Sequence, residues 1–146
     1  MENNLVTRRT HVSYDQQQID YLDSISDNEM SEGYIFSKLV RDLDELKELL
    51  AGLEENLDVS PDLSKEIIDN YREILENDSL AVMFSDERSG SNVLTLKDVK
   101  IEGDAVSIEI ERERGLTMDM AYTFLFLPVE GKDISSSAAR IENKYF

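Results

Sequence analysis

The sequence predicts an α+β chain, with helices dominating its first half and antiparallel strands its second. Three observations carry this. Apolar residues recur at steps of three and four up to about residue 77, then at steps of two from Ser79 onward. Acid is concentrated in the middle of the chain: the net charge is −3 over 1–41, −10 over 42–78 and −4 over 79–146, giving −17 in total. The 146 residues include no Cys, no Trp and a single His. A chain of this length suits one domain or two small lobes. It buries about 68–70% of its unfolded surface, so its core needs neither disulfide nor metal.

Composition closes off several functions. Without Cys there is no thiolate nucleophile, disulfide or Cys-ligated metal, and His11 alone cannot make a multi-histidine site. The six glycines never form GxGxxG, GxxxxGK[ST] or GxSxG, so phosphate loops and nucleophile elbows are not expected. Asp42-Leu43-Asp44-Glu45 lacks the glycine and ligand spacing of an EF-hand loop. Among 32 carboxylates, pairs close in sequence arise by chance and do not define a glycosidase dyad. The chain therefore reads as a non-enzyme with no cofactor and no metal. Met1-Glu2-Asn3-Asn4 lacks the basic and apolar regions of a signal peptide, and the longest apolar runs, 80–84 and 124–129, are too short to span a bilayer. A cytoplasmic protein without membrane contact is expected.

Element by element, residues 9–14 alternate, with Thr10, Val12 and Tyr14 on one face and Arg9, His11 and Ser13 on the other, which predicts a short strand. Asp15 is a good N-cap, with Gln18 completing a capping box, and Ile19, Leu22 and Ile25 supply the buried side of a first helix. Ser26-Asp27-Asn28 ends it. Ser31 is the next cap candidate. From there Phe36, Leu39, Leu43, Leu46, Leu50, Leu53 and Leu57 alternate steps of three and four, the a/d pattern of a coiled-coil seam. Gly52 weakens that helix by about 1 kcal/mol relative to Ala, making it a place to fray or end. Ser60-Pro61-Asp62 restarts a third helix, with Leu63, Ile67, Tyr71, Ile74 and Leu75 on one side. The two long helices fit either a hairpin within one chain or an extension of a dimer.

Strands are expected at 80–85, 93–101, 106–110 and 116–126, separated by turns at 86–92, at Glu102-Gly103-Asp104 and at Gly115. Ser135-Ser136-Ser137 reads as a loop, and 138–146 fits a short helix or a last strand. Together these predict a four- or five-stranded antiparallel meander over 79–146.

Residues 1–41 resemble the ribbon-helix-helix DNA-binding family, the class of the Arc and MetJ repressors. Arg9-Thr10-His11-Val12-Ser13-Tyr14 matches the ribbon, Asp15 the cap, and Ile19, Leu22 and Ile25 the first helix. Met30-Ser31-Glu32-Gly33-Tyr34-Ile35-Phe36-Ser37-Lys38-Leu39-Val40 resembles the start of the second helix. The resemblance implies a homodimer that inserts a two-chain ribbon into the major groove. Arg9, His11 and Ser13 would then read bases, and the amides at Ser31 and Glu32 would anchor a phosphate. Glu29 and Glu32 stand where members commonly carry a Gly and a basic residue.

The expected organisation is thus a ribbon-helix-helix-like dimerisation and DNA-binding module at 1–41, a long acidic helical segment at 42–78 and a β meander at 79–146. The function expected first is a homodimeric transcription regulator that binds operator DNA. The alternative is an acidic module that binds a basic protein as a nucleic-acid mimic, anti-defence inhibitor or antitoxin. It would act through Glu54, Glu55, Asp58, Asp62, Glu66 and Asp69, since net charge of this sign opposes non-specific DNA binding.

Overall fold

A computed structural model describes residues 6–10, 16–27, 35–57, 59–87, 92–116 and 121–143. The elements run β1 (Val6–Thr10), α1 (Gln16–Ile25), β2 (Ile35–Val40), α2 (Leu43–Leu57), α3 (Pro61–Tyr71), α4 (Ile74–Asn77), β3 (Ser79–Glu87), β4 (Val93–Glu102), β5 (Ala105–Glu113), β6 (Ala121–Val129) and β7 (Ser136–Asn143). The strands form two sheets, ordered β1-β6-β3-β2 and β4-β5-β7. The first is antiparallel throughout; in the second β5 pairs antiparallel with β4 and parallel with β7.

The four-stranded sheet is the middle layer, and its period of two sorts its side chains between two cores. Phe36, Val40, Leu80, Val82, Phe84, Phe124 and Phe126 join a cluster with Leu22, Leu46, Leu50, Leu53, Leu57, Ile67 and Tyr71 from the helices. The alternate residues Ile35, Leu39, Ala81, Met83, Leu125, Leu127 and Val129 join Leu94, Val106, Ile108 and Ile110 of the three-stranded sheet. The layers are therefore helices, sheet, sheet. Each fully buried Leu or Phe contributes about 1.5–3 kcal/mol relative to exposure. Aromatic rings line the helix side: Phe84 and Phe124 meet edge-on with centroids 4.4 Å apart, and Tyr71 lies 5.1 Å from Phe126.

This architecture overturns the expected fold class in three places. First, 35–40 is a strand. Ile35-Phe36-Ser37-Lys38-Leu39-Val40 satisfies a step of three at Phe36 and Leu39, but it also alternates, and it pairs residue for residue with 80–85 of β3. The strand-helix-helix order of a ribbon-helix-helix module is not made, and β1 pairs with β6 of the same chain, Arg9 opposite Thr123. Second, no long helical segment or coiled-coil seam forms among the described residues. Phe36 and Leu39 point to opposite sides of a sheet, while Leu46, Leu50, Leu53 and Leu57 pack into the chain's own core. Asp42 starts α2, its Oδ1 accepting from the Glu45 amide at 2.8 Å, and the helix runs through Gly52 to Leu57. Third, the C-terminal strands do not form one meander: β3 and β6 pair with each other in one sheet, while β4, β5 and β7 make the other.

Local expectations fare better where a cap or turn decides. The Ser60 hydroxyl caps α3 by accepting from the Leu63 amide at 3.1 Å, with Pro61 as first helical residue. Gly103, at φ 62°, makes the β4–β5 turn. In β4 the register slips between Leu96 and Asp98. Without that bulge Val99 would share the solvent face of Thr95; with it, Val99 packs against the inter-sheet core. After β6, the Lys132 ammonium donates to the carbonyl oxygens of Leu75 and Asp78 at 2.7 and 2.8 Å, and also to that of Arg41. This fastens the β6–β7 connection to the end of α4.

Candidate partner-binding surface

α2 and α3 each bury one stripe and leave the other to solvent. On α2, Leu46, Leu49, Leu50, Leu53 and Leu57 are buried; on α3, Ser64, Ile67 and Tyr71 are. The remaining positions are mostly acid. Glu55, Asp62, Glu66 and Asp69 are exposed and Glu54 is half-buried, so five of the carboxylates expected from the sequence stand on the outer helical layer. Asp58 lies outside the described residues. Asp44 and Glu48 on α2, with Glu73 and Glu76 further on, are also exposed and extend the same layer. The dense acid of 42–78 already carries that signal. Lys47, Lys65 and Arg72 are its exposed cations, and Arg41 lies 3.7 Å from Glu45.

The placement of these acids along the helices is informative. Asp44 and Glu45 in the first turn of α2 and Asp62 in that of α3 face the positive end of the helix dipole, where a carboxylate is stabilising. Glu54 and Glu55 fall in the last turn of α2, and Asp69 in that of α3, where the dipole's negative end disfavours them; neither last turn holds a basic residue.

The terminal turn of α2 is braced instead by α1. Gln18 Nε2 donates to the Asn56 carbonyl at 3.3 Å, and Asn56 Nδ2 donates to the Gly52 carbonyl at 2.9 Å. The Tyr21 hydroxyl lies where a Cβ on Gly52 would stand, only 2.1 Å from that position. Burial raises the Tyr21 phenol above its ordinary pKa, as does the nearby Glu55 carboxylate, while a hydrogen bond with Asn56 opposes the shift. Gly52 is thus the place where α1 closes on α2, and it holds Glu55 beside Tyr21.

Arg9 lies in β1, and His11, Ser13 and Ser31 lie outside the described residues. Among the described residues no group of three or more His, Asp or Glu is arranged to hold a metal ion, and no helix is long and apolar enough to cross a membrane.

No family model, no curated protein and no solved structure matches this chain.

Proposed function

We propose that this chain is an acidic protein-interaction module that binds a basic protein through the outer faces of α2 and α3. The observation that carries the reading is the acid at the helix ends. Glu54, Glu55 and Asp69 oppose the dipoles of their own helices, so folding alone does not account for them. A basic partner does: carboxylates concentrated on one layer steer a positive surface into contact and discriminate against other proteins. Operator binding was drawn from a ribbon shared by two chains, and the pairing of β1 with β6 gives it no support.

The test is crosslinked capture from producing cells, comparing the wild-type chain with a variant in which Glu54, Glu55, Asp62, Glu66 and Asp69 become Lys. The expected result is a captured basic protein whose yield falls with salt and is lost in the variant, while circular dichroism shows the variant still folded. If that protein also binds nucleic acid, duplex DNA should compete with the module for it. Undiminished capture by the variant overturns the reading. So does selection of a specific genomic DNA site by the purified wild-type protein.

A further inference from the structure

The register of the four-stranded sheet gathers three stretches of chain at one end. Val40 lies opposite Leu80, and Ser79 opposite Val129, which brings together Arg41, Asp78 and the turn after β6. There the Lys132 ammonium donates to the main-chain carbonyl oxygens of Leu75 and Asp78, at 2.7 and 2.8 Å, and to that of Arg41. An ammonium carries three donors and no acceptor, so three carbonyls match its full capacity. Leu75 belongs to α4 and Asp78 caps it. The last carbonyls of a helix have no partner within the helix and call for a donor or a cation.

A fixed turn delivers the lysine. Gly131, at φ 84°, turns the chain after β6. Its amide donates to Asp78 Oδ1 at 2.9 Å, and its carbonyl accepts from Ser79 Oγ at 2.8 Å. The residue before Lys132 is thus held on both sides by the segment that supplies one of the carbonyls. Such preorganisation lowers the entropy lost when the ammonium docks.

We propose that the carbonyls of Arg41, Leu75 and Asp78 form a site for a monovalent cation of ammonium or potassium size, which this chain fills with its own Lys132. Main-chain carbonyls can replace the hydration shell of such an ion. These oxygens are neutral, which suits a single charge. Calcium takes about six to eight oxygens, carboxylates among them, and magnesium demands a near-ideal octahedron. Asp78 offers its carbonyl to the site, while Oδ1 of its carboxylate is engaged by the Gly131 amide. The net charge of −17 raises the cation concentration at the surface, so a dissolved ion would enter wherever the lysine is removed.

The test is K132M, which removes the ammonium and keeps most of the stem. Urea midpoints of the full chain are compared in the chlorides of tetramethylammonium, sodium, potassium and ammonium at one ionic strength. The charge-loss control is K100M, at an exposed lysine of β4. K132M should fall below wild type in tetramethylammonium, an ion too large for the cradle. It should recover most of that loss in potassium or ammonium and less in sodium, a recovery that neither wild type nor K100M shows. K132M as stable as wild type in tetramethylammonium, or responding to the four salts just as K100M does, overturns the proposal. If K132M is unfolded in every salt, the wild-type ammonium decides. Nitrogen NMR should then show a slowly exchanging Lys132 Nζ coupled through hydrogen bonds to the three carbonyls, and an Nζ that exchanges with water as fast as that of Lys100 overturns the proposal.

Discussion

The carboxylate of Asp27 accepts a hydrogen bond from the amide of Ser137, 110 residues further along the chain, and the same oxygen accepts from Leu39. One oxygen thereby ties the edge of β2 to the edge of β7 and closes that side of the sandwich. Hydrogen bonds to a charged group are worth about 1.5–3 kcal/mol each when buried. Asp27 is exposed, so Asp27→Ala is expected to cost about 2 kcal/mol in urea denaturation. Asp27→Asn keeps a carbonyl acceptor and should lose about half as much. A loss below about 0.5 kcal/mol for the alanine variant would mean that solvent replaces the clamp at no cost.

Behind that clamp the hydroxyls of Ser37 and Ser137 lie 2.7 Å apart, both buried, one in each sheet. Removing either alone strands the other away from water, at a cost of about 1–3 kcal/mol. Removing both leaves two methyl groups in an apolar layer. Ser37→Ala and Ser137→Ala should therefore each destabilise, while the double variant sits close to wild type. The coupling read from a double-mutant cycle should exceed 1 kcal/mol. Additive losses would show that each hydroxyl has another partner.

What could be read from the sequence divides along local and non-local lines. Ser60-Pro61 marks the start of α3 and Glu102-Gly103-Asp104 the β4–β5 turn, because a cap or a positive φ is decided by a few adjacent residues. Residues 35–40 resemble part of a helix in sequence because Phe36, Leu39 and Leu43 continue a heptad-like spacing across what is in fact a strand and a break. The corrective signal was present: Asp42 with Glu45 is itself a capping box, and it places the start of α2 after Val40. The parallel pairing of β5 with β7 and the split into two sheets depend on contacts across the fold, which spacing alone does not report. For the surface, charge density pointed to the acidic layer. The packing of Tyr21 onto Gly52, which orients one end of that layer, had no sequence signal beyond the glycine itself.

That packing makes a prediction of opposite sign in two backgrounds. Ala in place of Gly gains about 1 kcal/mol in a helix interior. At Gly52, however, the new Cβ meets the Tyr21 hydroxyl at 2.1 Å, so the tyrosine must swing out and lose its hydrogen bond with Asn56. Gly52→Ala should be neutral or destabilising in the wild-type chain. In a Tyr21→Phe background the nearest side-chain atom is the ring Cζ at 3.4 Å, ordinary contact, and Gly52→Ala should then stabilise by about 0.5–1 kcal/mol. The same effect in both backgrounds would remove Tyr21 as the reason for the glycine.

On the outer face of the three-stranded sheet, Lys97 and Glu142 meet at 2.7 Å across β5. The hydrogen bond and charge of Glu142 raise the Lys97 pKa, and those of Lys97 lower the Glu142 pKa. A lowered carboxylate contributes stability above its unfolded pKa and loses it as pH falls through the folded one. A raised ammonium contributes below its unfolded pKa and loses it as pH rises through the folded one. The pair is thus intact between those limits. Both side chains are well exposed, so the contribution to stability is small and weakens with salt. In a carbon-detected carboxyl titration, Lys97→Met should move the Glu142 midpoint up toward the ordinary carboxylate range. An unmoved midpoint would assign the shift to Arg140, which lies 3.3 Å from the same carboxylate.

The acid at the end of α2 separates folding from binding most directly. Glu54 and Glu55 sit at the negative end of the helix dipole with no basic residue in the turn, an arrangement that costs about 0.3–1 kcal/mol for each exposed charge at low ionic strength. Replacing both with Gln removes the charge and keeps size and helix propensity close to those of Glu. The E54Q/E55Q chain should therefore be more stable than wild type by a few tenths to about 1 kcal/mol in urea, with the gain shrinking as salt is added. Affinity for a basic partner should move the other way, falling as two carboxylates are lost from the docking layer. A gain in stability together with a loss in binding would identify these residues as kept for recognition at the expense of the fold. If the variant instead loses stability, the two carboxylates hold the helix end through local contacts, and the dipole argument for a basic partner fails with it.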